Sequence, residues 1–195
     1  MSYDIIGNSK NIADSIKVSG MYKIGYKLLE VDPQGRLFPL FIGNKKEILL
    51  KTVLKAENLP TKGFARRSGW HLGKIPSAPW LMNSKGEYGS RRGKGWKRAW
   101  YKVAYNATND YTEEALKQPK KCFEEMPENG FYTFFEKGRC LWYITSEAIV
   151  LEPLEEKERQ EILKQLDFDE KKEFKPYKKA FEKRAATLKK KKEVK

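Results

Sequence analysis

The stretch "FYTFFEKGRCLWYITS", residues 131–146, decides the fold class of this chain. Two runs rich in aromatic residues flank Lys137 and Gly138, the pattern of two strands joined by a tight turn. Aromatic rings bury large apolar areas, so such a hairpin needs a sheet or helix to cover it. "MPENG" before it reads as a turn, and "AIVLEPL" after it as a short final strand.

Outward from this hairpin the same signals recur. "WKRAWYKVAYN" has strand character, and "MYKIGYKLLEV" and "RLFPLFI" are parted by "DPQG", where Pro33 presets a turn and Gly35 permits positive φ. Residues 21–42 therefore read as a second hairpin, whose Pro39 makes the returning strand an edge or a bulged one. "KKEILLKTVLKAENL" stays open between helix, on the spacing of Ile48, Leu49, Val53 and Leu54, and strand, on its Thr-Val pair. "IADSIKV" near the start fits one short helix. From Pro60 to Gly95 periodicity disappears and Gly, Pro, Ser and basic residues dominate, a length without regular structure that points to a functional or mobile segment.

"NDYTEEALKQ" begins a helix with Asp110 as cap and Glu113 three residues on. Beyond Pro153 the chain turns helical and hydrophilic: "EEKERQEILKQL" is one helix, and "PYKKAFEKRAATLKKKK" another with Pro176 at its first position. The apolar positions of the latter, Tyr177, Phe181 and Leu188, are sparse. The expected architecture is α+β: a mostly antiparallel sheet of aromatic hairpins with one or two packed helices and a C-terminal basic helical extension. A globular domain spans 1–154 and a charged, lysine-rich extension 155–195.

Charge narrows the function. A formal net charge of +14 and a pI near 9.6 favour polyanionic partners: nucleic acid, a nucleoprotein complex or an acidic protein surface. Cys122 and Cys140 lack the spacing and companion histidines of a zinc site, no secretory signal stands out, and no apolar run is long enough to span a bilayer. The expectation is a soluble protein of a reducing cytoplasm that binds no metal, cofactor or membrane.

Three groups of residues are candidates for function. In "KGEYGSRRGKGWKRAWYK", the cations Lys85, Arg91, Arg92, Lys94, Lys97, Arg98 and Lys102 are interleaved with Tyr88, Trp96, Trp100 and Tyr101. Such cations neutralise phosphates while aromatic faces stack on unpaired bases, unless the tryptophans point into the core. The tail, with Lys183, Arg184, Lys189, Lys190, Lys191 and Lys192, suits nonspecific attraction to a phosphate backbone. His71, the one histidine, sits in the tight aromatic turn "SGWHLGKIPSAPW". It serves there either as a hydrogen bond holding the turn or as a ligand-binding or catalytic group.

"YKLLEVDPQGRLFPLFI", "RRSGWHLGKIPSA", "NDYTEEA" and "MPENGFYTF…WYITSEAIVL" together resemble a family of uncharacterised accessory proteins of bacteriophages and conjugative elements. The resemblance covers roughly residues 22–152 and rests on four boxes in the same order, including the Gly-Trp-His-Leu-Gly box. It implies a mobile-element accessory protein, and together with the basic charge the expectation is a noncatalytic protein that acts in the host bacterial cytoplasm on nucleic acid or a nucleoprotein complex. Inhibition of a host defence such as a CRISPR effector, by competing for guide RNA or target DNA, is the corresponding role. A similarity to ADP-ribosyltransferase-like folds implies an alternative, an NAD-dependent enzyme with His71 on the ribose and Glu147 as the acid; Tyr26-Lys27 then stands where that fold carries arginine. A further alternative is a protein-binding module whose basic face meets an acidic protein.

Overall fold

A computed structural model describes residues 21–61, 63, 67–136 and 140–193, with side chains described for the same residues except 136, 140 and 188–193. The helix expected at "IADSIKV" and the turn at Lys137-Gly138 lie outside the described residues. The fold is α+β. Its strands are β1 (Tyr22–Val31), β2 (Leu37–Phe38), β3 (Val53–Lys55), β4 (Trp70–Gly73), β5 (Lys97–Asn106), β6 (Asn109–Asp110), β7 (Gly130–Glu136), β8 (Cys140–Thr145) and β9 (Glu147–Pro153). They form a sheet in the order β3-β9-β5-β1-β4-β8-β7-β6, with β2 attached to β1. Apart from the parallel pair β6–β7, the pairings are antiparallel.

One bend gives this sheet its curl. Only Ser146 separates β8 from β9, yet the two strands lie at opposite ends of the path β9-β5-β1-β4-β8. A single bent strand thus joins both ends and draws the sheet around its own core. Backbone groups at a buried bend need partners, and side chains supply them. Thr145, fully buried, donates its hydroxyl to Glu147 O at 3.0 Å, and Ser146 Oγ accepts from Gly130 N at 3.1 Å.

Inside the curl, Leu29, Leu72, Val103 and Val150 are fully buried, each contributing about 1.5–3 kcal/mol over its exposed state. Tyr105 stacks on Tyr143 at 5.0 Å between ring centroids and meets Phe131 edge-on at 5.3 Å. The two flanks of β1 differ. It pairs with β5 along its whole length, from Tyr22↔Asn106 to Val31↔Lys97, but with β4 only at Tyr26↔Gly73.

Several local expectations need correction. The second strand of the 21–42 hairpin shrinks to two residues, because Pro39 has no N–H to continue the ladder. Its turn is instead held by Asp32, whose carboxylate accepts from the N–H groups of Gln34 at 2.9 Å and Arg36 at 2.8 Å and from Arg36 Nε at 2.7 Å. The open segment holds a bridge and a short strand parted by a turn, with Ile48 bridging Leu37, Lys51 at φ 59° and Val53–Lys55 forming β3. Helix α1 (Thr112–Lys117) is capped at Tyr111 rather than Asp110. Asp110 lies in β6 and accepts the Thr112 N–H at 3.0 Å, an Asx turn that leads into a helix of only six residues.

The irregular segment 60–95 is neither bare nor detached. It contains β4 and a 3₁₀ turn at Pro79–Leu81, and its Ala78, Trp80, Leu81 and Tyr88 pack with Leu28 and Trp100 over the outer face of β1 and β5. Helices α2 (Glu156–Gln165) and α3 (Glu170–Glu193) follow, with Leu154 and Leu163 buried. Pro176 is not the first residue of its helix but an interior one, seven residues in. Interior proline costs about 3 kcal/mol relative to alanine, and here it marks a division. Before it, Phe174 is buried; after it, through Thr187, only Tyr177 and Phe181 are half-buried and the rest are exposed.

Candidate nucleic-acid interface

The base of α3 sits in a polar socket. The Glu170 carboxylate accepts from Ser77 Oγ at 2.5 Å, Tyr88 OH at 2.6 Å and both terminal nitrogens of Arg159 at 2.9 Å. Arg159, nearly buried, also binds Glu156 and the Pro76 carbonyl, the latter at 3.0 Å. Burial pulls the Arg159 guanidinium down, but its bonds to Glu156 and Glu170 more than offset this and hold it raised above its ordinary value. Burial, then the negative charge of Glu170, pushes the Tyr88 phenol up. Arg159 and Tyr88 therefore each keep one protonation state near neutrality, and the socket is an anchor.

That anchor explains the Gly-Trp-His-Leu-Gly box. Gly69 adopts φ +118°, and a Cβ there would lie 2.6 Å from Ile144 Cγ2; one at Gly73 would lie 2.6 Å from Ile75 O. Both ends of β4 therefore require glycine, and the chain leaves at the angle that delivers Pro76, Ser77 and Ala78 to the socket. Trp70 faces the interior and donates Nε1–H to Lys55 O at 3.1 Å.

Beyond Tyr88 the same loop builds a different constellation. The Arg92 guanidinium carbon lies 4.7 Å from the Trp96 ring centroid and 5.4 Å from that of Phe38, and these two rings are 5.4 Å apart. Arg36 adds a second guanidinium, 5.9 Å from Phe38. Arg92 donates to the Pro39 carbonyl at 2.7 Å, yet among the described residues no carboxylate pairs with it. On the same loop and at the start of β5, Lys85, Arg91, Lys94 and Lys97 are exposed and form no ion pair among the described residues.

Five residues of the sequence cluster must be withdrawn from the binding surface, two of them Tyr88, held in the socket, and Tyr101, buried in the core. Trp100 is buried, edge-on to Tyr88 at 5.6 Å. Arg98 is paired with buried Glu30 at 2.8 Å, its side chain 7% exposed. Lys102 bridges Glu152 at 2.9 Å and Glu158 at 2.8 Å. Strand alternation is the reason: Arg98, Trp100 and Lys102 share one face of β5, and that face is covered by α2 and the 60–95 segment. The sequence in turn does not single out Arg36 and Phe38, because nothing in residues 33–41 signals that they meet a loop more than fifty residues away. Nor does it pair Arg159 with Glu170.

Charge is concentrated in the arm. Residues 171–195 carry twelve Lys or Arg against three Glu, so nine of the fourteen excess positive charges lie there. Lys183 and Arg184 are exposed on α3, while the side chains of Lys189, Lys190, Lys191 and Lys192 lie outside those described.

His71 and Glu147 are not brought together. His71 Nε2–H donates to Arg67 O at 2.9 Å, and its ring lies 6.2 Å from that of Trp142. Glu147 meets Asn106 Nδ2 at 3.4 Å and the phenol of Tyr22. A shallow depression of about 340 Å³ at Asn58–Thr61 includes neither residue. Among the described residues no three metal-ligating side chains gather, and no helix is long and apolar enough to cross a membrane. Comparison with protein families, with curated proteins and with solved structures finds no match.

Proposed function

We propose that this protein is a noncatalytic binder of nucleic acid or of a nucleoprotein complex. The observation that carries the reading is the Arg92–Trp96–Phe38 stack, on the loop that also carries exposed Arg91 and Lys94 and holds the socket of the basic arm. Arginine left without a carboxylate on an aromatic face suits contact with phosphate and stacking on an unpaired base. The arm supplies long-range attraction: α3 is about 36 Å long at 1.5 Å per residue, long enough to follow a phosphate backbone over roughly a helical turn of duplex.

A mobile-element accessory role in the host cytoplasm, with inhibition of a CRISPR-type effector as its outcome, is the biological form of this proposal. It rests on the resemblance of the four sequence boxes. The test is fluorescence anisotropy of labelled single-stranded DNA, duplex DNA and structured RNA over a salt series. Saturable binding that weakens steeply with salt is expected. Affinity independent of salt, or no binding to any of the three, overturns the reading.

A further inference from the structure

Arg98, Lys102 and Arg159 share a feature that Lys27 lacks. Arg98 has Glu30, Lys102 has Glu152 and Glu158, and Arg159 has Glu156 and Glu170. Lys27 has no carboxylate partner among the described residues. It lies on the face of β1 that carries Leu29 and Val31 into the core. Its Nζ donates to the His71 carbonyl at 2.8 Å and sits 5.3 Å from the Trp70 ring centroid.

The place is a seam. β1 and β4 are paired only at Tyr26↔Gly73, so next to that pair Lys27 reaches across where a backbone bond would otherwise run. One of its three N–H groups is used. Lys23, four residues earlier on the same strand face, is exposed and places a second ammonium 5.7 Å from the Phe131 ring centroid. A half-buried ammonium without a counter-charge is costly, and an oxyanion hydrogen-bonded to it offsets that cost. Desolvation already lowers the Lys27 amine to about 8.

We propose that the seam between β1 and β4 is a binding site for a small oxyanion, a carboxylate or phosphate group, with Lys27 as the pairing cation and Trp70 as the wall beside it. The site is separate from the Arg92 stack and stands or falls independently of nucleic-acid binding.

The experiment follows the ε-methylene resonance of Lys27 in the full chain labelled with ¹³C-lysine, titrated with inorganic phosphate and, separately, with acetate at constant ionic strength. Lys27→Met assigns the signal, and Lys27→Arg does so if the methionine variant fails to fold. The Lys27 signal is expected to shift saturably with at least one anion, while exposed Lys45 and Lys117 drift without saturating. Which anion saturates first separates a phosphate ligand from a carboxylate one. The Lys27→Met chain should hold that anion about tenfold more weakly, the worth of one charged hydrogen bond. A Lys27 signal that moves no more than that of Lys45 overturns the proposal and leaves Lys27 as a strut across the seam.

Discussion

Arg159 and Arg92 are both arginines set against aromatic rings, 5.6 Å from Tyr88 and 4.7 Å from Trp96 respectively, and they do opposite things. Arg159 spends its donors on Glu156, Glu170 and a carbonyl, so its charge is neutralised where it stands. Arg92 has a carbonyl and two rings, which orient a guanidinium without cancelling its charge. What separates an anchor from a binding group here is the carboxylate. An aromatic neighbour is common to both.

The contrast is most easily broken by removing each arginine. Arg159→Ala leaves Glu170, its side chain only 12% exposed, beside Tyr88 without its cation and should cost about 3–5 kcal/mol of folding stability. Arg92→Ala, which strands no charge, should cost about 1 kcal/mol. Urea denaturation of both variants measures the difference; equal losses would erase the distinction. In binding the order reverses. Trp96→Ala should weaken affinity for single-stranded nucleic acid by about 1–3 kcal/mol, the worth of one stacked base, while leaving duplex affinity nearly unchanged in the anisotropy assay.

Lys27 belongs with Arg92 in lacking a carboxylate, and pH sharpens the comparison. Its amine sits at about 8 in the folded chain against an ordinary 10.5. Between those values the unfolded chain binds more protons, so this group makes stability rise with pH across that window, and its penalty is constant below pH 8. Thermal unfolding at pH 7.5, 9 and 10 should show the wild-type chain gaining on Lys27→Met by on the order of 1 kcal/mol, allowing for solvent screening at a half-buried site. Tyr88, Tyr105 and Tyr132, whose phenols are raised by burial, act in the other direction above pH 10. The smallest effect concerns the arm. Replacing Lys183 and Arg184 together by Gln should flatten the salt slope of binding by about 1.4–1.8, some 0.7–0.9 for each phosphate that is no longer neutralised, with stability unchanged.

The aromatic strands were legible because alternation and turn chemistry are local: Phe131 to Glu136 and the residues after Cys140 read as strands from their own neighbours. The cap of α1 was misread by one residue, since Asp110 serves an Asx turn that sequence spacing does not distinguish from a cap. The basic cluster was half legible. Its exposed cations stand where their composition implies, but Arg98, Trp100 and Lys102 were lost to partners as distant as Glu30 and Glu158.

By itself the sequence determined the α+β class, the hairpins, the two C-terminal helices and the concentration of positive charge at the end of the chain. These follow from period, turn residues and composition, which act over a few residues. Tertiary structure alone decided that one strand bends at Ser146 to curl the sheet, that Glu170 finds Arg159, Ser77 and Tyr88, and that Arg92 stacks between Phe38 and Trp96. Whether a cation is cancelled or left to bind depends on which carboxylates the fold brings within hydrogen-bonding reach, and residues far apart in the chain carry no local sign of that meeting.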